Sequence, residues 1–283
     1  MNPQQLKMFA EIEDRHWWFA ARRMFLRALF EKLFPSRTSK PVVIDIGCGT
    51  GGNLGALADV CQGIGIDSSP TAIEHAQKRV PGAEFLCGDV HELGKDRVPT
   101  ADLVIMMDVI EHVQDDLEFV SRVVQRMKVG ANLFITVPAD RTLWSAHDET
   151  VLHYRRYDVP RLQAVAANLP LKTRLISYHN YRLLPMIRLA RVLSRRRGKA
   201  AGEVGTDFKI PIAPANSMLR SIFAGETRRI LNGIDSPVQK LPYAKGVTLL
   251  GVFQRTPGDC PIQHAHAGLW PDQYNPQTGV RHE

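Results

Sequence analysis

The chain has 283 residues, 44% of them hydrophobic and 23% charged, which supplies a full core and excludes a disordered or low-complexity protein. Its 36 Lys and Arg against 29 Asp and Glu leave a formal charge of +7. Arg188, Arg191, Arg195, Arg196, Arg197 and Lys199 concentrate much of that excess in one stretch, so a solvated basic face accounts for it more simply than a nucleic-acid surface. Cys48, Cys61, Cys87 and Cys260 lie far apart with no C-x-x-C pair, which argues against a zinc site or disulfide framework and suits a reducing cytosol.

The opening Met-Asn-Pro-Gln-Gln is polar, with no basic segment leading into an apolar core, and no apolar run reaches the length of a transmembrane helix. The expected location is cytoplasmic. Residues 4 to 34 read as helical, with Phe25, Leu26, Leu29, Phe30, Leu33 and Phe34 at three- and four-residue spacings before Pro35. Inside that helix His16-Trp17-Trp18-Phe19, followed by Arg22 and Arg23, can pack on the sheet or face a ligand as a cap.

Pro41 to Asn53 joins a buried-strand pattern, Val42, Val43, Ile44 and Ile46, to a turn with glycines at every second position. A dinucleotide loop would read G-x-G-x-x-G. Here the order is Asp45-x-Gly47-x-Gly49-x-Gly51, and Leu54 to Cys61 follows as the expected crossover helix. A second strand, Gly63 to Asp67, ends in a carboxylate placed to accept from ribose hydroxyls at the carboxyl edge of a doubly wound sheet. Ser68-Ser69-Pro70 opens the next helix, through Val80. Glu84 to Val90 gives a third strand with Asp89 at its tip, and Ala101 to Asp108 a fourth, which runs into Val109-Ile110-Glu111-His112-Val113. Asp115 to Met127 reads as a helix ended by Gly130, and Leu133 to Pro138 as a fifth strand.

One alternating-glycine loop followed by acid-tipped strands resembles the class I S-adenosylmethionine (SAM)-dependent methyltransferases, the likeness covering roughly residues 40 to 138 and extending to the type 11 and ubiquinone-pathway members. The resemblance implies an α/β fold, a Rossmann-like doubly wound seven-stranded sheet, mostly parallel with an antiparallel last strand, plus helical lid insertions. Leu171 to Tyr178 and Gly246 to Phe253 can supply strands six and seven. It also implies a SAM site built from Asp45, Gly47, Gly49, Gly51, Asp67, Asp89, Val90 and Asp108, with Asp89 and Val90 at the adenine. Residues 1–255 are then one methyltransferase domain, with 1–35 as an N-terminal helical cap and 139–170 and 180–245 as substrate-side insertions. Residues 256–283, rich in Pro, Gly, His and Gln, read as an extended or disordered tail.

A methyl on a sulfonium is already activated, so an enzyme's work is alignment and, for a hydroxyl acceptor, removal of a proton. His112, His147 and His153 are the candidate bases. Asp108-x-x-Glu111-His112 resembles the acid-x-x-Glu-His metal site of ubiquinone-pathway O-methyltransferases and small-RNA 2′-O-methyltransferases. It offers Asp108, Glu111 and His112 as metal candidates if a helix has begun by Asp108, although the Glu-His pair also occurs in metal-independent relatives. Trp17, Trp18 and the His153-Tyr154-Arg155-Arg156-Tyr157 run resemble a group of bacterial methyltransferases of polysaccharide, lipid and secondary-metabolite pathways. Trp17, Trp18, Arg155, Arg156 and Tyr157 are therefore the substrate candidates, suited to a carboxylate- or phosphate-bearing acceptor, or else a network bracing the lid.

The expected activity is methyl transfer to a small-molecule or lipid- or sugar-linked metabolite, foremost at oxygen. The alternatives are an RNA methyltransferase, which lacks support from any RNA-binding module, and a SAM-binding protein without catalysis, which the intact acidic and glycine positions disfavour. The helix Tyr181 to Leu193, with apolar residues beside Arg182, Arg188 and Arg191, is a candidate for peripheral contact with the inner membrane face.

Overall fold

The computed structural model describes residues 10–36, 38–196, 210–236, 241–264 and 272–281. At its centre lies a seven-stranded sheet in the order β3 (Glu84–Cys87), β2 (Gln62–Asp67), β1 (Val42–Ile46), β4 (Leu103–Met107), β5 (Asn132–Pro138), β7 (Thr248–Arg255) and β6 (Leu171–His179). β1 pairs in parallel with β2 and β4, and β7 runs antiparallel to both β5 and β6. This is the Rossmann-like doubly wound sheet with an antiparallel seventh strand. Chain order reverses between β1 and β4, so the crevice for a ligand opens beyond the carboxyl ends of those strands.

The central strands are apolar because both faces are covered. On one face Val120 and Val124 of α5 (Asp116–Arg126) and Leu162 of α7 (Val159–Ala166) pack against Val104, Leu133 and Ile135. The other face carries Phe25, Leu29 and Phe30 of α1 (Trp17–Leu33) against Val43, Phe134 and Val252. Each such fully buried side chain contributes about 1.5–3 kcal/mol. The helix expected over residues 4 to 34 is interrupted: residues 10–12 are helical, 13–16 turn, and α1 begins anew where His16 accepts from the Trp18 amide; residues 1–9 lie outside the described set. Phe34 ends it ahead of Pro35.

Two other local expectations change. The crossover helix after the glycine loop is reduced to α2 (Gly52–Gly55), where glycines at both ends give the backbone little reason to stay helical. After β4 no α-helix begins at Asp108: its φ is +57°, and only the single 3₁₀ turn Ile110–His112 follows. The remaining helices are α3 (Pro70–Arg79), α4 (Val90–Leu93), α6 (Ala146–Thr150), α8 (Leu184–Arg196), α9 (Ala213–Ala224) and α10 (Thr227–Leu231). The helix predicted near Asn216 to Leu231 divides at Gly225, and Asn216 of α9 accepts from the Trp17 amide at 2.9 Å, fastening this segment to α1. Arg197 and Lys199 of the basic run lie outside the described residues.

The segment read as a tail contains a two-stranded hairpin, Tyr274–Asn275 with Val280–Arg281. Its start is held on the body by the Tyr154 carbonyl, which accepts from the Gln273 and Tyr274 amides. Among the described residues, no helix is long and apolar enough to cross a membrane.

Candidate active site

Gly47, Gly49 and Gly51 adopt φ of +70°, +52° and +82°. Those angles are costly for residues bearing a Cβ, and at Gly47 an added Cβ would also lie 2.7 Å from Val109 Cγ2. The loop therefore folds back over β1, and Asp67 at the tip of β2 fixes it: its carboxylate accepts from the Gly49 amide at 2.9 Å and from the Ser69 amide at 2.9 Å. Asp89 caps α4, one oxygen accepting from the His91 and Glu92 amides, which leaves its second oxygen for a ligand. Val90 is buried directly after it.

Asp45 is fully buried; one oxygen accepts from Asn53 at 3.2 Å, and Oδ1 has no partner among the described residues. Burial pushes its carboxyl up to about 7, against the Asn53 hydrogen bond. A buried carboxylate short of a partner beside a glycine cradle fits a ligand that carries a cation. An acid with a raised folded pKa weakens the fold as pH climbs from its unfolded value near 4 to about 7, and a bound ammonium reverses that effect. SAM affinity should accordingly rise as pH increases toward 7 and level off above it. Asp45→Asn should bind more weakly and flatten the dependence, which calorimetry across pH 5.5–8.5 measures.

The cap contributes side chains that spacing alone leaves unassigned. Arg22 of α1 forms an ion pair with Asp108 and donates to Thr136 Oγ1 at 3.1 Å, while Thr136 donates to Asp108 at 3.1 Å. Glu13 reaches the loop itself, accepting from the Thr50 hydroxyl and from Arg79. Trp17 and Trp18 are partly buried and pack on Phe223 of α9, with ring centroids 6.0 and 5.2 Å away.

Beyond Asp108 the chain turns so that Glu111 enters the interior. It is fully buried, and neither carboxylate oxygen has a partner among the described residues. Burial, reinforced by the Asp108 charge, raises its pKa well above the ordinary value. His153 Nε2 stands 3.9 Å from Glu111, and its Nδ1 is 3.0 Å from Asp148, an arrangement that fixes the imidazole and directs Nε2 toward Glu111. His112 lies with its ring centroid 4.7 Å from that of His153. Burial, then the neighbouring His153, holds it down to about 3, while hydrogen bonds to the Leu152 and Val151 carbonyls oppose the shift, so it is a neutral imidazole. His147 is further off, 6.3 Å between ring centroids. Glu111, His112 and His153 each offer a ligand atom within 4.8 Å of the others. Asp108, paired with Arg22, is not in that group, in which His153 stands beside the expected candidates Glu111 and His112.

The substrate roles expected of Arg155, Arg156 and Tyr157 do not fit their surroundings. Arg156 is 6% exposed and grips Asp148 with two bonds of 2.8 and 3.0 Å while donating to the Ala139 carbonyl at 3.0 Å. Arg155, 3% exposed, donates to Asp272 at 2.7 Å and to the Val113 and Gln114 carbonyls at 2.8 and 2.7 Å. Tyr157 is fully buried and donates to Asp116 at 2.7 Å, and Arg161 pairs with the same carboxylate. These groups brace the segment that holds His153: among the described residues, every guanidinium nitrogen of Arg155 and Arg156 already donates to a protein acceptor.

A methyltransferase-domain family matches residues 18–173, more than half of the chain. The chain belongs to that family. Curated relatives include a probable S-adenosylmethionine-dependent methyltransferase of Mycobacterium tuberculosis, 26% identical over 160 residues, 55% of this chain and 56% of the relative. A ubiquinone biosynthesis O-methyltransferase of Rickettsia typhi is 29% identical over 146 residues, 45% of this chain and 57% of that one. The chain thus spans about half the length of the curated relatives it matches. Among solved structures, a chain from the complex between the Haloferax volcanii Trm112 methyltransferase activator and a putative methyltransferase superposes with a TM-score of 0.54 at 17% identity. That alignment covers 90% of this chain and 98% of the other, which shows a shared fold.

Proposed function

We propose that this methyltransferase transfers the methyl group of SAM to an oxygen of a small-molecule or lipid- or sugar-linked metabolite, with the Asp148–His153 pair removing the acceptor proton. The observation that carries the reading is the placement of His153: Nδ1 held by a buried carboxylate, Nε2 directed inward beside Glu111, on the segment that follows β5. Although burial acts to raise the Asp148 pKa, Arg156 and His153 hold that carboxyl well below the usual range, so it stays an anion able to support an imidazolium.

SAM supplies a methyl already activated by its sulfonium. Gly47, Gly49 and Gly51 would admit its amino-acid portion, Asp67 the ribose, Asp89 and Val90 the adenine, and Asp45 and Asp108 the polar groups near the methionine end. The chain's own contribution is to align the acceptor oxygen, to exclude water beneath α1 and α9, and to take the proton at His153 Nε2. The domain plan read from the sequence, residues 1–255 as one unit with 1–35 as its cap, is part of the same proposal.

Incubating the enzyme with methyl-¹³C SAM and an extract from cells lacking the gene, with products followed by mass spectrometry, tests this. His153→Ala should lose labelled product by 10²-fold or more while keeping SAM affinity. Unchanged labelling in that variant, or label on carbon or nitrogen alone, would contradict the reading.

The orphaned Glu111 oxygens favour a second reading at the same place, in which Glu111, His112 and His153 hold a divalent cation that would orient the acceptor oxygen as a Lewis acid. Asp148 would then orient a ligand. Chelator-treated protein should take up Mn²⁺ with one-site stoichiometry, and Glu111→Gln should abolish uptake; absence of uptake in the unsubstituted protein leaves the metal-free base as the account.

Peripheral membrane contact also has support in the exposed Met186, Leu189 and Val192 of α8, which carries Arg188 and Arg191. Co-sedimentation with vesicles should grow with phosphatidylglycerol content and fall in Met186→Ser/Leu189→Ser; equal binding to neutral vesicles would favour a freely soluble acceptor.

A further inference from the structure

At the carboxyl end of β6, His179 and Asn180 are 3% and 0% exposed, yet His179 Nε2 and both amide atoms of Asn180 have no hydrogen-bond partner among the described residues. Three unmatched polar atoms on two adjacent buried residues are unusual in a native interior. Their position is equally particular. Because β7 is antiparallel to both β5 and β6, β6 runs parallel to β4 and β5 and ends at the same edge of the sheet as Asp108. His179 pairs with Thr248, which pairs with Pro138, so the end of β6 is level with the end of β5.

The surroundings fix the chemistry. The His179 ring lies between Phe25 and Phe223, with centroids 4.8 and 4.2 Å away, and it is hydrogen-bonded to the Phe223 backbone. Since Nε2 is the unpartnered nitrogen, Nδ1 donates to that carbonyl and Nε2 presents a bare lone pair. Burial, opposed by the Phe223 hydrogen bond and helped a little by the nearby Arg22, holds the imidazole pKa down to about 3, so the ring is neutral at any ordinary pH. Asn180 holds φ at +59°, and its side chain is not needed to cap the segment that follows: Glu226 accepts from the Tyr181 and Arg182 amides at 3.1 and 2.8 Å. Arg22, the nearby cation, is paired with Asp108. Among the described residues, what remains at this spot is one acceptor, one amide that donates and accepts, and aromatic walls.

We propose that His179 and Asn180 form a recognition subsite for an uncharged part of the methyl acceptor, one that offers a hydroxyl or carboxamide hydrogen to His179 Nε2 and exchanges hydrogen bonds with the Asn180 amide. The subsite deepens the methyltransferase reading above and rests on it. A neutral group suits this flank better than a carboxylate, which would face the Nε2 lone pair while Arg22 is already paired with Asp108.

Benzamide, benzoate and toluene, similar in shape but different in polarity, serve as probes on the full chain saturated with S-adenosylhomocysteine and labelled with ¹⁵N-histidine. The expected spectrum shows a neutral Nδ1–H tautomer for His179, whose Nε2 resonance moves on addition of millimolar benzamide and stays in place with benzoate or toluene. His179→Phe keeps the ring volume and should weaken benzamide binding tenfold or more. Asn180→Asp keeps the shape and tolerates the left-handed backbone, and should do the same. Both variants should retain affinity for S-adenosylhomocysteine. If S-adenosylhomocysteine itself fails to bind the unsubstituted protein, the methyltransferase reading fails and the subsite with it. If it binds but benzamide leaves Nε2 unmoved, or benzoate and toluene move it equally, the subsite alone is overturned.

Discussion

Replacing Arg156 with Ala should lower the folding stability by about 3–5 kcal/mol, enough to remove a large fraction of what an ordinary domain possesses. The reason is the partner left behind. Asp148 is fully buried and receives two bonds from Arg156, with Ser145 and His153 completing its shell. Without the guanidinium the carboxylate keeps its desolvation cost and loses its main counter-charge. If Arg156 instead held an anionic acceptor, the variant would fold normally and raise only the acceptor KM. Chemical denaturation of the variant beside Arg156→Lys separates the two. A loss below about 1 kcal/mol, with a raised KM, would return Arg156 to the substrate side. Arg156→Lys should recover part of the loss, because an ammonium keeps the charge but not the two-pronged bond.

The second large effect is expected at Asp67. Its carboxylate holds the Gly49 and Ser69 amides, and the same group is the proposed ribose acceptor, so Asp67→Ala removes both a loop anchor and a ligand contact. SAM affinity should fall about 100-fold, equivalent to about 2.7 kcal/mol. Asp67→Asn retains an acceptor oxygen and should fall less. Far from this site, α5 and β7 should be unaffected, which hydrogen exchange can verify.

The sheet was largely legible because its signal is local. Val42 to Ile46 and Leu103 to Met107 are buried on both faces, and nothing but a central strand has that composition together with glycine and acidic punctuation. The conformation of the glycine loop was legible for a similar reason: positive φ at Gly47, Gly49 and Gly51 is written in the residue type itself. What failed was local geometry set by distant partners. Asp108, Glu111 and His112 share one face only in a helix, and the left-handed turn at Asp108, braced by Arg22 from 86 residues earlier in the chain, breaks that pattern. Arg155 and Arg156 read as anion ligands because guanidinium pairs commonly are; that Asp148, Asp116 and Asp272 already occupy them is a tertiary fact. The proposed subsite also had a signal in the sequence: His179 ends the sixth strand and Asn180 follows it, a position that the rule applied to Asp67 and Asp89 reaches equally.

Assignment of the glycine loop and Asp67 to a SAM site is tested by calorimetric titration of S-adenosylhomocysteine and of NAD into the unsubstituted protein and Asp67→Ala. One-site binding of S-adenosylhomocysteine, a loss of about 100-fold in the variant and no heat with NAD are expected. Saturable NAD binding, or S-adenosylhomocysteine affinity that survives Asp67→Ala intact, would contradict that assignment.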